Sequence, residues 1–360
     1  MPFYQPRLTG HREQHLNTLV ALICGLIGGK HAHLPTIADH APSHGATQES
    51  LITRFRRFLQ HEAQTLDGWF LPVAQALLRT LAQRPIQLVM DGSVVGRGCL
   101  ALLVSVVYHG RALPLCWVVV AAPKGHFPAA THRALLAQVQ RLMPQDATVI
   151  FLGDGEFDGV DLQADLRRYG WQYVCRTAAN ILITAAGVEF QVSDLAPQPG
   201  QALAVSPAWM TAARHGPISL LAIWEAACPH PIYLVTNLSD LDAAVAHYRK
   251  RAHIETFFSD QKSRGFHLHQ SHLRDPARVS RLVLAACLAY LWVVYLGVCA
   301  IRDDWLQQLH RQDRCDLSLF RLGLRLLARC LKDDLPIPHG LLVPTVMPTL
   351  PRSTDQALAA

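Results

Sequence analysis

The chain has 360 residues, half of them hydrophobic, which supplies a sizeable core and speaks against a disordered protein. Its formal charge of +6 rests on only 17% charged residues, so it suits an anionic partner without singling one out. The nine cysteines (Cys24, Cys99, Cys116, Cys175, Cys228, Cys287, Cys299, Cys315 and Cys330) follow no CxxC or finger-type spacing, which argues against a disulfide framework and a structural zinc. They are expected to be reduced thiols, mostly buried. The N-terminal stretch has no basic-then-apolar pattern, so a cytoplasmic location is expected.

Residues 1–82 are expected to form an all-helical N-terminal domain. HREQHLNTLVALICGLIGG reads as a helix stopped by Gly28 and Gly29. In LPTIADHAPSHGATQESLITRFRRFLQHE, a short helix, a turn and a second helix resemble a helix-turn-helix, with Arg54, Arg56 and Arg57 as candidate DNA contacts. A plain helical hairpin with a solvated basic face has the same pattern.

From Ile86 the period changes. PIQLVMDGS predicts a buried strand ending in an acid, and CLALLVSVVYHGRALPLCWVVV two strands around a turn at His109 and Gly110. A helix from His132 to Met143 follows, then a third apolar run, ATVIFLGDGEFDG, again with an acid at its end. VDLQADLRRYG predicts a helix and WQYVCRTA a further strand. This order predicts an α/β fold over residues 83–180, the first part of a ribonuclease-H-like core with a mixed sheet and flanking helices. Residues 181–240 read as a small β-rich insertion, with APQPG and ACPHP turns between short apolar pieces. Residues 241–305 are expected to complete the core with a long helix running past Lys262. Residues 306–360 read as a C-terminal helical region, with a helix near Leu317–Leu331, and a Pro-rich tail. Leu282 to Ile301 carries no charge over 20 residues; it is long enough to span a membrane, and a helix buried in a core has the same composition.

Asp91 and Asp154 each end an apolar run, so rigid sheet would hold each at a rim. If their strands are neighbours, the two carboxylates converge, and a divalent cation relieves their repulsion most naturally. Hard oxygen ligands favour Mg²⁺ or Mn²⁺ over zinc. Glu156 and Asp158 compete with Asp154, but both lie beyond the strand end. On a regular helix, Tyr248, Arg251, Glu255 and Lys262 share an arc of roughly 60°, while Asp260 points away. A carboxylate flanked by two cations and a phenol makes sense if a polyanion lies along the helix, with Arg251 and Lys262 gripping phosphates and Tyr248 bonding a phosphate or stacking on a base. A charged solvent face with an Arg251–Glu255 pair is the simpler alternative. His267, His269 and His272 form an HxHxxH cluster that lacks a matching fourth ligand for zinc, so phosphate contact or solvation is expected there.

Together these residues carry a resemblance. Y-x2-R-x3-E-x6-K (Tyr248, Arg251, Glu255, Lys262), preceded by MDGS and FLGDGEFDG, resembles the signature of DDE transposases of the insertion-sequence-4 family. The resemblance spans roughly residues 30 to 305. It implies a nuclease and strand transferase that acts on terminal inverted repeats and target DNA. Asp91, Asp154 and Glu255 would be the catalytic and metal-binding residues, with two Mg²⁺ or Mn²⁺ ions. It also implies a homodimer on paired DNA ends. Some members hold a flipped base on an aromatic residue of the insertion; Trp224 matches best by position and Trp209 second, though Trp224 also reads as a core aromatic. The second motif departs from the family in one respect: GDGEFDG has no basic residue directly after the aspartate, where relatives more often do, and the acid at Glu156 would weaken phosphate contact nearby. A catalytically silent DNA-binding derivative of a transposase is the alternative function.

Overall fold

The structure is a computed structural model that describes residues 10–122, 125–311 and 315–347. The chain opens with five helices, α1 (His11–Gly29), α2 (Leu34–His40), α3 (Gln48–Gln60), α4 (Leu66–Trp69) and α5 (Leu71–Leu81). The Thr47 hydroxyl caps α3 by accepting from the Ser50 amide. Leu51, Ile52, Phe55, Phe58 and Leu59 turn one face of α3 into the core, which leaves Arg54, Arg56 and Arg57 exposed on the other.

Three antiparallel strands follow: β1 (Ile86–Gly96), β2 (Cys99–Tyr108) and β3 (Arg111–Ala121). Both residues of the β2–β3 turn, His109 and Gly110, have positive φ (40° and 76°), as a two-residue hairpin with matching twist requires. Next come α6 (Ala129–Leu142), β4 (Val149–Gly153), α7 (Val160–Arg168) and β5 (Gln172–Arg176). β4 pairs parallel to β1, and β5 parallel to β4. The order β3-β2-β1-β4-β5, antiparallel on one side and parallel on the other, is the ribonuclease-H-like arrangement expected from the sequence.

The β-rich stretch contains β6 (Leu182–Ala185), β7 (Val188–Gln191), β8 (Ala202–Met210), β9 (His215–Ile223) and β10 (Ile232–Thr236). These strands continue the core sheet, because β10 pairs with β5 and the full order is β3-β2-β1-β4-β5-β10-β9-β8-β6-β7. The chain then returns as α8 (Leu241–Tyr248), a 3-10 turn over Arg249–Ala252, and α9 (His253–Gln261).

Two expectations are corrected here. Asp91 does not end its strand: β1 continues for five more residues paired with β2, because Val94 and Val95 resume the apolar run after Asp91, Gly92 and Ser93. The parallel pairing of β1 with β4 does stop at Val89. The long helix is likewise not one regular helix. Its 3-10 turn winds each residue about 20° further than an α-helix does, so an angular count across it drifts. It also ends at Gln261, which leaves Lys262 as a non-helical cap (φ −104°, ψ −118°).

The apolar segment forms most of α10 (Pro276–Arg302), started by Asp275, whose carboxylate accepts from the Arg278 amide at 2.8 Å. It lies against α1, α3, β3 and α12 (Leu319–Lys332), beyond the single turn α11 (Leu306–Leu309), and most of its apolar stretch is buried inside the molecule. Gly297 and Gly323 let α10 and α12 meet backbone to backbone. A Cβ on Gly297 would overlap the Leu319 carbonyl, and one on Gly323 that of Val293. All nine cysteines are free, most of them buried.

Candidate active site

β1 and β4 run side by side in the same direction, with Val89 opposite Leu152. Asp91 lies two residues beyond that last pair, and Asp154 directly follows β4, so parallel pairing alone delivers both carboxylates to one rim of the sheet. Each spends one oxygen locally. Asp91 Oδ1 accepts from the Gly92 amide at 2.7 Å, and Asp154 Oδ1 from the Glu156 amide at 3.0 Å. The other oxygen of each faces Arg251, whose Nη1 lies 3.9 Å from Asp91 Oδ2 and 3.5 Å from Asp154 Oδ2. Arg251 Nη2 donates to Glu255 Oε1 at 2.7 Å. One guanidinium therefore stands among three carboxylates supplied by β1, the β4–α7 loop and α9.

The guanidinium does not satisfy this site. Nη1 is buried and makes no hydrogen bond, since both aspartates are too far away for one. The Asp91 carboxyl is pushed up to about 6, first by burial, with the charges of Asp154 and Glu255 adding to it; the Gly92 amide and Arg251 oppose the rise. Lys262 is half-buried and in electrostatic reach of Asp91; burial lowers its pKa and Asp91 resists that. Tyr248 is half-buried beside Arg251, Arg176 and Asp154, and burial raises its phenol. The four residues of the sequence stripe thus meet despite the broken helix.

Glu156 and Asp158 are engaged elsewhere. Glu156 accepts from His126 Nδ1 (2.8 Å), the Phe127 amide (2.8 Å) and His132 Nε2 (3.0 Å), which ties the segment before α6 to the β4–α7 loop. Its carboxylate is thereby occupied in loop structure. Asp158 accepts from the Thr177 hydroxyl at 2.7 Å, and burial raises its pKa. Asp154 keeps an oxygen free for the site.

The donor set fits a hard divalent cation: three carboxylates, with no sulfur or imidazole among them. Among the described residues no three acids are spaced to hold an ion as arranged, because Arg251 occupies the position between them. A cation among these carboxylates would remove the repulsion from Asp154 and Glu255 that adds to burial in raising Asp91.

Beside Asp154 opens a cleft of about 580 Å³ whose walls include His126, Arg176, Thr177, His230 and Tyr233. Arg176 was not singled out from sequence, yet a signal exists: it ends WQYVCR as Asp154 follows VIFLG, and Gly153 pairs with Cys175. Trp224 and Trp209 are not among the cleft's described walls. Trp224 follows β9, and its indole N–H donates to the Cys228 carbonyl at 2.9 Å. Trp209 lies in β8 opposite Thr184. In the N-terminal helices, Arg54 and Arg57 line a groove between α1 and α3 with His15 and His61, while Arg56 makes a loose 3.9 Å pair with Glu49.

A family profile described as the transposase DDE domain matches residues 88–292, a span that contains Asp91, Asp154 and Glu255. No curated protein matches the chain. A solved structure described as a piggyBac transposase synaptic complex with hairpin DNA is similar over 97% of this chain and 79% of that one, at 11% identity and a TM-score of 0.48.

Proposed function

Because the chain belongs to the transposase DDE domain family, we propose that it cuts and joins DNA at the terminal inverted repeats of a bacterial insertion sequence, with Asp91, Asp154 and Glu255 as its catalytic carboxylates. Domains of this family generally use divalent metal ions. Two Mg²⁺ or Mn²⁺ ions, when bound by these carboxylates, would supply activation of the attacking oxygen and stabilisation of the leaving one.

The chain's own residues divide the remaining work. Asp91 is fixed by β1 and its neighbours, so it offers a preorganised oxygen at the rim. Asp154 hangs from the end of β4 on a turn closed by its own carbonyl, which accepts from the Phe157 amide. Glu255, the most exposed of the three, stands on α9 and pairs with Arg251. With cations on the carboxylates, Arg251 would be available to a DNA phosphate, and Lys262 beyond it to a second. Tyr248 offers a hydroxyl on the same side, and Arg176 and His126 extend the cationic wall past Asp154.

The observation that carries this reading is the meeting of three carboxylates, from three separated segments, around one unsatisfied guanidinium. It also supports assignment to the insertion-sequence-4 group, since Tyr248, Arg251, Glu255 and Lys262 gather at the same place. Incubation of the protein with DNA carrying its element's end and Mg²⁺ should give breaks at the terminus. End-specific binding with no metal-dependent cleavage under any of Mg²⁺ or Mn²⁺ would instead indicate a silent DNA-binding derivative.

A further inference from the structure

The HxHxxH segment after α9 acquires partners that lie far away in sequence. His31 and His33, in the short connection between α1 and α2, pack against it. The His31 ring stacks on His267 with centroids 5.4 Å apart and planes 11° apart, and His33 meets His272 at 4.9 Å. His267 and His269 are 6.0 Å apart. His31 Nδ1 accepts from the His33 amide at 3.1 Å, and its Nε2 lies 3.1 Å from Gln270 Oε1.

Three features make this junction unusual for mere packing. The Nδ1 atoms of His267 and His269 are buried and have no hydrogen-bond partner. The charged groups acting on His33 are His31 and His272, and those acting on His269 are Lys262, His267 and His31, so every one of them is basic. Burial comes first and these neighbours second in lowering both imidazoles. Finally, the junction adjoins the site: the His267 amide donates to the Lys262 carbonyl at 2.9 Å, and Lys262 acts on Asp91.

We propose that His31, His33, His267, His269 and His272 form a DNA-phosphate contact that takes up protons on binding and joins the N-terminal helices to the segment after α9. The inference rests on the transposase reading above. His33 and His269, whose interacting charged groups are all basic, lack a counter-charge there, and a phosphodiester supplies one. Binding an anion raises the imidazole pKa values, so by linkage the complex holds more protons than the free protein and DNA affinity rises as pH falls. The stacked His31 and His267 rings and the edge-on His33–His272 contact hold the junction together.

The test measures affinity for a random-sequence DNA duplex between about pH 6 and pH 8, the range in which imidazole titrates. A chelator is present throughout, and an Asp91→Asn background removes the aspartate's own titration. Affinity should fall by up to about tenfold per pH unit for each coupled proton. His267→Gln with His269→Gln should flatten that profile and lower the salt dependence by about one phosphate contact. His272→Gln, at an exposed position, should flatten it in part and guards against a folding defect in the double variant. An unchanged pH profile and salt slope in both variants would overturn the proposal. So would recovery of tight binding at about pH 8 by stoichiometric Zn²⁺ in the parent alone, which would mark a metal site. A flat profile with firm DNA binding in the parent sinks the histidine contact and leaves the transposase reading intact, whereas no DNA binding at any pH sinks both.

Discussion

The two faces of the α9 segment each bring an aspartate to an arginine, and the two pairs differ in nearly everything else. On one face Asp260 receives Arg111 Nη1 at 2.8 Å, with side chains only 3% and 12% exposed. On the other, Asp91 lies 3.9 Å from an Arg251 that also serves Asp154 and Glu255. Burial comes first in pushing both aspartates up to about 6. For Asp260 burial outweighs even the opposing charges of Arg111, Arg264 and Arg321. A raised aspartate therefore does not distinguish a functional site from a structural pair. What distinguishes them is satisfaction: the Arg111–Asp260 pair closes on itself, whereas Arg251 Nη1 is left without a hydrogen bond among three acids.

The sharpest way to break the comparison is substitution at each face. Asp91→Asn, Asp154→Asn and Glu255→Gln should each lower metal-dependent DNA cleavage by about a thousandfold or more, the equivalent of several kcal/mol of lost transition-state stabilisation, with DNA binding retained. A gel assay of strand breaks beside a binding assay reads both. Asp260→Ala should do the reverse. It strands Arg111 in the core, which costs about 3–5 kcal/mol in denaturant unfolding, while the cleavage rate per folded molecule stays near that of the parent. Equal loss of cleavage at both faces, at matched stability, would erase the distinction.

A smaller effect comes from charge alone. The folded-state pKa of Asp91 is raised above its ordinary value of 3.8 to about 6, so ionising it opposes folding. Its contribution is most favourable below pH about 4 and is lost as pH rises through about 6. Asp91→Asn should accordingly stabilise the metal-free protein near pH 7 by about 1–3 kcal/mol while it abolishes cleavage, a trade of stability against function. Thermal unfolding in chelator checks this, and a destabilised variant would count against the electrostatic account of the site. The smallest expected effect is the rise in unfolding temperature on adding Mg²⁺. It should be present above pH about 6 and shrink as the pH falls below that value, where Asp91 takes up its proton. Persistence of the full shift at about pH 4.5 would place the cation elsewhere.

Local pattern was enough for much of this. The β2–β3 turn, the strand order through β5 and the run of α10 follow from apolar periodicity and from the turn at His109 and Gly110. The position of Asp154 after VIFLG was equally plain, but its priority over Glu156 and Asp158 was not. That depends on His126, His132 and Thr177, which reach those acids from other segments. The Tyr248–Lys262 stripe was read on an ideal helix, which the 3-10 turn at Arg249–Ala252 breaks; Lys262, just past the end of α9, still lies within electrostatic reach of Asp91. The partners of the HxHxxH segment were invisible for a different reason, since His31 precedes His267 by most of the chain and only the packing of the α1–α2 connection brings them together.

The central claim is that Asp91, Asp154 and Glu255 act as one metal-dependent unit on DNA. It is tested most directly by the cleavage of a DNA substrate carrying the element's end, with Mg²⁺, by the parent protein, the three single variants and the Asp91→Asn/Glu255→Gln double variant. The expected result is that each single change removes nearly all cleavage and that the double variant is scarcely worse than either, since groups acting as a unit lose little more once one is gone. Cleavage near the parental rate by any single variant, with an intact fold, would contradict it.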